Sequence, residues 1–213
     1  MNLRCAAVFA CCLSAAIGLP GQTGSAPQPQ AEQVETGTVS VPIADSDTAP
    51  FDRIEAAGPH TFLRHYKIRL LPVSSFPQLP KPVAQELTDR GCMIPQTYEA
   101  REPENVIHGS FEKKGSDDWA TLCSIRGVTT LYVFFQSNLT VPIPLRHQPD
   151  SQWLGVEWSL DYGSAWGIAA RAARLLPAST HADHDGIEDA FIEKSSTIYY
   201  FQEGRWTTLD GSQ

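Results

Sequence analysis

Basic clusters, long apolar runs and familiar catalytic signatures are all scarce in this chain, and each shortage excludes something. Its 213 residues carry 16 Lys and Arg against 24 Asp and Glu, and the basic residues nowhere cluster. A surface that neutralises phosphates needs such a cluster, so nucleic acid and anionic membrane surfaces are not expected partners. Beyond the first residues no apolar stretch approaches the roughly 20 residues that span a bilayer, so no membrane span is expected in the mature chain. No Gly-x-Ser-x-Gly elbow, phosphate-cradling glycine loop or dinucleotide fingerprint occurs, which removes the enzyme classes built on them. Residues 21–50 lack any aromatic and are rich in Gln, Pro, Ser, Thr, Gly and Ala. Such a segment buries too little apolar surface to offset its ordering entropy.

What is present begins with an export signal. Arg4 is the sole charged side chain in the first 26 residues and precedes an apolar run from Cys5 to Gly18, which Pro20 ends. A short positive region followed by an apolar run of this length predicts a signal peptide over 1–26. Cleavage is expected between 16 and 26, where Ala15, Ala16, Gly18, Gly21, Gly24 and Ala26 supply small residues. A buried N-terminal helix and a lipoprotein anchored at Cys11 are the alternatives. Without Arg4 the mature chain keeps 15 basic and 24 acidic residues, a net charge near −9. Its expected location is the periplasm or the external medium.

Five cysteines occur, and Cys5, Cys11 and Cys12 leave with the signal. Cys92 and Cys123 remain as an isolated pair, which an oxidising compartment is expected to join; two buried free thiols are the alternative. Residues 27–50 are predicted to form a flexible linker, with a brief extended piece at Val39-Ser40-Val41. Residues 51–213 are then enough for one core but few for two.

Patterning within that domain predicts an α+β fold, mainly β, of antiparallel strands and hairpins with two short helices. Phe62–Leu71 reads as a strand stopped at Pro72. Pro82 in a first turn, Val83 and Leu87 on one face and Gly91 as a cap predict a helix over 81–90. Asn105–Phe111, Trp119–Ile125, Thr130–Gln136 and Trp153–Leu160 read as strands. Trp166, Ala169, Ala170, Ala173 and Leu176 form an apolar stripe at helical spacing and predict a second helix over 164–176. Ala190–Glu193, Thr197–Gln202 and Arg205–Leu209 read as closing strands, the last two joined at Glu203-Gly204.

The sequence also echoes itself. Gly115-Ser116-Asp117-Asp118 is followed, 12 residues after Asp118, by Thr130-Leu131-Tyr132-Val133-Phe134; Gly186-Ile187-Glu188-Asp189 is followed, eight residues after Asp189, by Thr197-Ile198-Tyr199-Tyr200-Phe201. Two ordinary hairpins with half-buried aromatic strands would share this pattern by chance. Gly109-Ser110-Phe111 through Gly115, Asp118, Trp119 and Ala120 resembles the FG-GAP/VCBS type of repeat. That repeat occurs in integrin-like propellers and in many exported bacterial proteins. The stretch from His181 to Asp189 resembles the calcium loop of the same repeat. Together the likeness takes in about residues 105–136 and 181–209 of an exported, bacterial-type chain. Glu112-Lys113-Lys114 stands where the first copy would carry its ligands, and His181 stands where the second would carry its first Asp. Two units also fall short of the four blades a propeller needs.

The second loop has a chemistry of its own. Asp183, Asp185 and Asp189 sit at i, i+2 and i+6, with Gly186 at the bend and the Ile187 carbonyl available. Calcium takes six to eight oxygens from such a set, so a weak Ca2+ site at Asp183, Asp185, Ile187 and Asp189 is one expectation. A solvated acidic turn, its carboxylates capping backbone donors, is the other. His60, His65, His108 and His147 are scattered. Trp153, Trp158, Trp166 and Trp206 line either a carbohydrate or peptide groove or the core. Asn138-Leu139-Thr140 is a glycosylation sequon where the secretory route is eukaryotic. These residues together point to an exported or envelope-associated binding module without catalytic residues, whose partner is a protein or glycan of the envelope or medium. A small hydrolase using the His181–Asp189 loop and an inhibitor of a secreted enzyme are the competing classes.

Overall fold

A computed structural model describes the backbone of 34–36, 47–57, 60–156 and 162–211, with side chains over 68–155 and 163–211. The expected signal peptide, the Val39-Ser40-Val41 piece and Trp158 lie outside the described residues. Strands β1 (Val34–Thr36), β2 (Asp47–Ala57) and β3 (His60–Pro72) come first, then helix α1 (Lys81–Asp89). They are followed by β4 (Met93–Gln96), β5 (Val106–Gly109), β6 (Asp118–Ile125), β7 (Val128–Phe134) and β8 (Ile143–Pro149). After β9 (Leu154–Val156) and β10 (Tyr162–Ser164) come β11 (Trp166–Arg171), β12 (Gly186–Phe191), β13 (Ser195–Gln202) and β14 (Arg205–Asp210). The fold is mainly β, as the patterning predicts.

An eight-stranded sheet runs in the order β1-β3-β4-β6-β7-β8, with β2 also on β3 and β5 also on β6; β11 to β14 form a four-stranded meander, and β9 and β10 pair with each other. Strand β6 organises the core because both of its faces are covered. Trp119 and Cys123 meet Val83 and Leu87 of α1 together with Leu71, Phe76 and Phe134. Ala120 and Leu122, on the opposite face, pack with Leu131, Val133, Trp166 and Ile187 against the four-stranded sheet. The outer face of that second sheet is covered by Leu176 and Ala182, which pack on Ile198 and Tyr200.

Helix α1 forms where its sequence says it should. Pro82 occupies the first turn, and Val83 and Leu87 are fully buried one turn apart. It ends in a Schellman arrangement: Gly91 N–H donates to the Thr88 carbonyl (2.9 Å) and Cys92 N–H to the Leu87 carbonyl (3.0 Å). Gly91 has φ +75° and open space where a Cβ would stand, so backbone conformation alone requires glycine there. Gly91→Ala is therefore expected to cost about 1–2 kcal/mol, from left-handed strain alone. A lower urea midpoint with an unchanged m-value would report it.

The predicted helix over 164–176 does not form. Trp166–Arg171 is strand β11, paired with β12 from Trp166↔Phe191 to Arg171↔Gly186, and a 3-10 turn follows at Ala173–Leu175. The alanines fit the helical stripe, but Trp166 and Ile168 also alternate, and both pack into the core between the sheets. Six residue pairs with β12 outweigh a weak helix propensity that Gly163 and Gly167 further reduce. Strands β4 and β8 are additional elements, hidden in sequence by Pro95, Pro144 and Pro149.

The two echoing segments are hairpins β6–β7 and β12–β13 in different sheets. The first turns in two residues, Arg126 and Gly127, both with positive φ. The second turns through 192–194, so the extra length of the first copy lies in its paired strands and not in its loop. Asn105 stitches the sheets together. It is buried, with φ +67°. Its Nδ2 donates to the carbonyls of Pro95 (2.7 Å) and Trp166 (3.1 Å), and its Oδ1 accepts from Ile168 N–H (3.0 Å).

Candidate functional site

The residues expected to gather around calcium go to separate tasks. Asp185 accepts from Ser110 N–H (3.1 Å) and Ala173 N–H (3.3 Å), tying its loop to the chain after β5. Asp183 projects into solvent and meets His184 Nδ1 at 2.7 Å; that hydrogen bond holds its carboxyl below the usual range. Ile187 is fully buried, with its backbone in the β12 ladder. Asp189 lies inside β12, because the strand starts at Gly186 and not at Ala190. Ile187, Asp189 and Phe191 therefore point the same way, between the sheets. Among the described residues no group of three or more His, Cys, Asp or Glu side chains is arranged to hold a metal ion.

His184 belongs to a small hydrogen-bonded cluster. Its Nε2 meets the Phe201 carbonyl at 2.8 Å, its Nδ1 meets the Tyr200 hydroxyl at 3.1 Å, and its ring stacks on Tyr200. Both ring nitrogens are engaged, and the ring is buried. Burial holds the Tyr200 hydroxyl above its ordinary value. His181 sits apart as the left-handed residue that ends a 3-10 turn, φ +50°.

Two further buried carboxylates complete local structure. Asp118 accepts from Phe111 N–H, Glu112 N–H, Ser116 Oγ and Gln136 N–H, closing the turn before β6. Asp150 accepts from Ser124 Oγ and Thr129 Oγ1, both at 2.7 Å, where β6 and β7 meet.

Asp189 is different, because its partners are a cation and an indole and a cleft opens onto them. Its Oδ2 accepts from Arg146 Nη1 at 3.0 Å and its Oδ1 from Trp166 Nε1 at 2.5 Å. Burial pushes its carboxyl above the usual range, while Arg146 and the Trp166 N–H draw it back. Tyr199 stands nearby, its hydroxyl raised first by burial and then by the Asp189 charge.

Arg146 reaches this acid through an irregularity in β8. In simple alternation Ile143 and Leu145 would face the core and Arg146 would face away. The register instead shifts, with Leu131 opposite Arg146 and Tyr132 opposite Pro144. Leu145 is thus the extra residue of a β-bulge, and the bulge re-aims the next side chain inward. Arg146 then lies over Trp153 at 4.6 Å. Trp153 in turn stacks on Trp166 (4.4 Å between centroids) and Phe191 (5.3 Å).

A cavity of about 290 Å³ opens above this group. Gln148 and Gln152 bring amides to its wall, and Ser195, Ser196 and Thr197 bring hydroxyls. Trp153 and Trp166 are core residues, so their role is to brace Arg146 and not to form an open aromatic platform. Sequence reasoning passed over Arg146, Gln148 and the cavity. The available signal was Asp189 itself: an acid between Ile187 and Phe191 at an inward strand position requires a buried partner.

No protein-family model, curated protein or solved structure matches this chain.

Proposed function

We propose that the chain is an exported binding module and that the cleft over Arg146 and Asp189 is its ligand site. The observation that carries this reading is an ion pair kept at the floor of a cleft, beside the stacked rings of Trp153 and Trp166. An apolar pair of similar volume would hold the sheets together as well or better, so retained charge beside an open cavity points to recognition. Export rests on the apolar N-terminal run after Arg4 and agrees with the Cys92–Cys123 bond, which needs an oxidising compartment to persist. The hydrolase alternative draws no comparable support. Both nitrogens of His184 are engaged, and Asp183, Asp185 and Asp189 face different partners.

The test is a two-dimensional NMR screen of residues 27–213 against soluble saccharides, short peptides and small organic acids. Binding here should move the amide signals of Gln148 and Ser195–Thr197 and the indole N–H of Trp166, whose hydrogen bond to Asp189 reports the cleft floor. Responses confined to other surfaces would overturn the assignment of this cleft.

A further inference from the structure

We infer that the ligand carries a carboxylate beside hydroxyl groups, the chemistry of a sugar acid; this deepens the binding-module reading and rests on it. The polar groups of the cleft differ in what they still offer a ligand. Its acid, Asp189, already holds a donor on each oxygen. Gln148, Gln152, Ser195, Ser196 and Thr197 line the cleft and make no side-chain hydrogen bonds within the described residues, so their amides and hydroxyls can both donate to a ligand and accept from it. Arg146 gives one N–H to Asp189 and also interacts with the Tyr199 hydroxyl, yet its side chain remains 32% exposed. A guanidinium is a planar fork matched to a carboxylate, and this one is fixed in orientation by Asp189 on one side and by the Trp153 ring beneath it. Pre-setting the fork removes much of the ordering cost that a free arginine would impose on binding.

A second cation lies close to one lining residue. Lys194 Nζ lies 4.2 Å from the centre of the Phe191 ring, which lines the cleft. The cleft thus combines a held guanidinium with amides and hydroxyls that both donate and accept, above one buried acid whose oxygens are already engaged. The guanidinium calls for an anion and the amides and hydroxyls for hydroxyl groups beside it, and the volume suits a single small ring or a short hydroxy acid. The amides and hydroxyls alone would also take a plain sugar, but that would give no use to the held fork.

The experiment titrates residues 27–213 with glucuronate, galacturonate, gluconate and tartrate, against glucose, galactose, sorbitol and threitol as their neutral counterparts, by calorimetry and NMR. At least one acid should bind tenfold or more tightly than its neutral counterpart, with affinity falling as salt rises. Lys194→Gln, an exposed change that leaves the fold intact, should weaken it several-fold. Ser195→Tyr, placed at the mouth, should abolish it. Equal binding of neutral and acidic probes at the cleft would overturn the carboxylate assignment and leave the cleft reading standing. Absence of binding by every acid, or binding indifferent to both Lys194→Gln and Ser195→Tyr, would overturn the inference. Responses elsewhere on the surface would remove the cleft reading as well.

Discussion

Arg146→Ala is expected to lower the unfolding free energy by about 3–5 kcal/mol at pH 7, the usual cost of stranding one member of a buried ion pair. The asymmetry of the pair sets which member matters more. Asp189 is fully buried, whereas the Arg146 side chain is about one-third exposed. Without Arg146 the carboxylate keeps only the Trp166 N–H of its two hydrogen-bond donors. In Asp189→Asn the side-chain oxygen still accepts from Trp166, and the guanidinium turns toward solvent, so about 1–2 kcal/mol is expected after solvent screening. Acid should rescue the alanine variant. The folded-state carboxyl of Asp189 is raised above its ordinary value, so between that value and the raised one the native state binds more protons than the unfolded chain. Stability from this group therefore rises as pH falls through the raised value and levels off below the ordinary one. Arg146 draws the value down, so its removal widens the window. The gap between wild type and Arg146→Ala should narrow from pH 7 to pH 5 in urea titrations. A gap that is constant or grows would mean that the loss comes from packing on Trp153 and not from a stranded charge.

The legible parts of this protein are those whose physics is local. Lys81–Asp89 contains its own start, its own buried face and its own glycine stop, so neighbours in sequence decide it. The hairpin turns at Arg126-Gly127 and Glu203-Gly204 need positive φ at both residues, a requirement also met within two positions. The segment 164–176 satisfies a helical stripe with its alanines, while β12, the strand that decides its conformation, starts 20 positions beyond Trp166, at Gly186. The Arg146–Asp189 pair is a longer-range case. It depends on a bulge at Leu145 that no composition marks and on two strands 43 residues apart. The acidic loop attracted attention because its carboxylates are close in sequence. Strand alternation then sends Asp189 inward, while Asp185 is claimed by Ser110 and Ala173.

Removing the Cys92–Cys123 bond should be the other large loss. The sulfurs are bonded, with Cα atoms 5.1 Å apart and a sequence separation of 31. In the chain-entropy account a loop of that length contributes about 3–4 kcal/mol by restricting the unfolded ensemble. Both residues are buried among Leu71, Val83, Leu87 and Phe134, so the cleanest variant is Cys92→Ala with Cys123→Ala. A lone Cys123→Ser is expected to cost more, since it loses the bond and also places an unpaired hydroxyl in an apolar cluster. Intact mass should lie about two daltons below that of the reduced chain, for the two hydrogens lost on oxidation. The loss should also be one of stability and not of binding. Cys123 is on the face of β6 that meets α1, whereas Ala120 and Leu122 are on the face toward the sheet carrying Asp189. Below its unfolding transition, the double alanine variant should therefore keep the NMR positions of Gln148 and the Trp166 indole. If those signals move with the bond removed, the two faces of β6 are coupled, and the disulfide sets the geometry of the cleft as well as the stability of the fold.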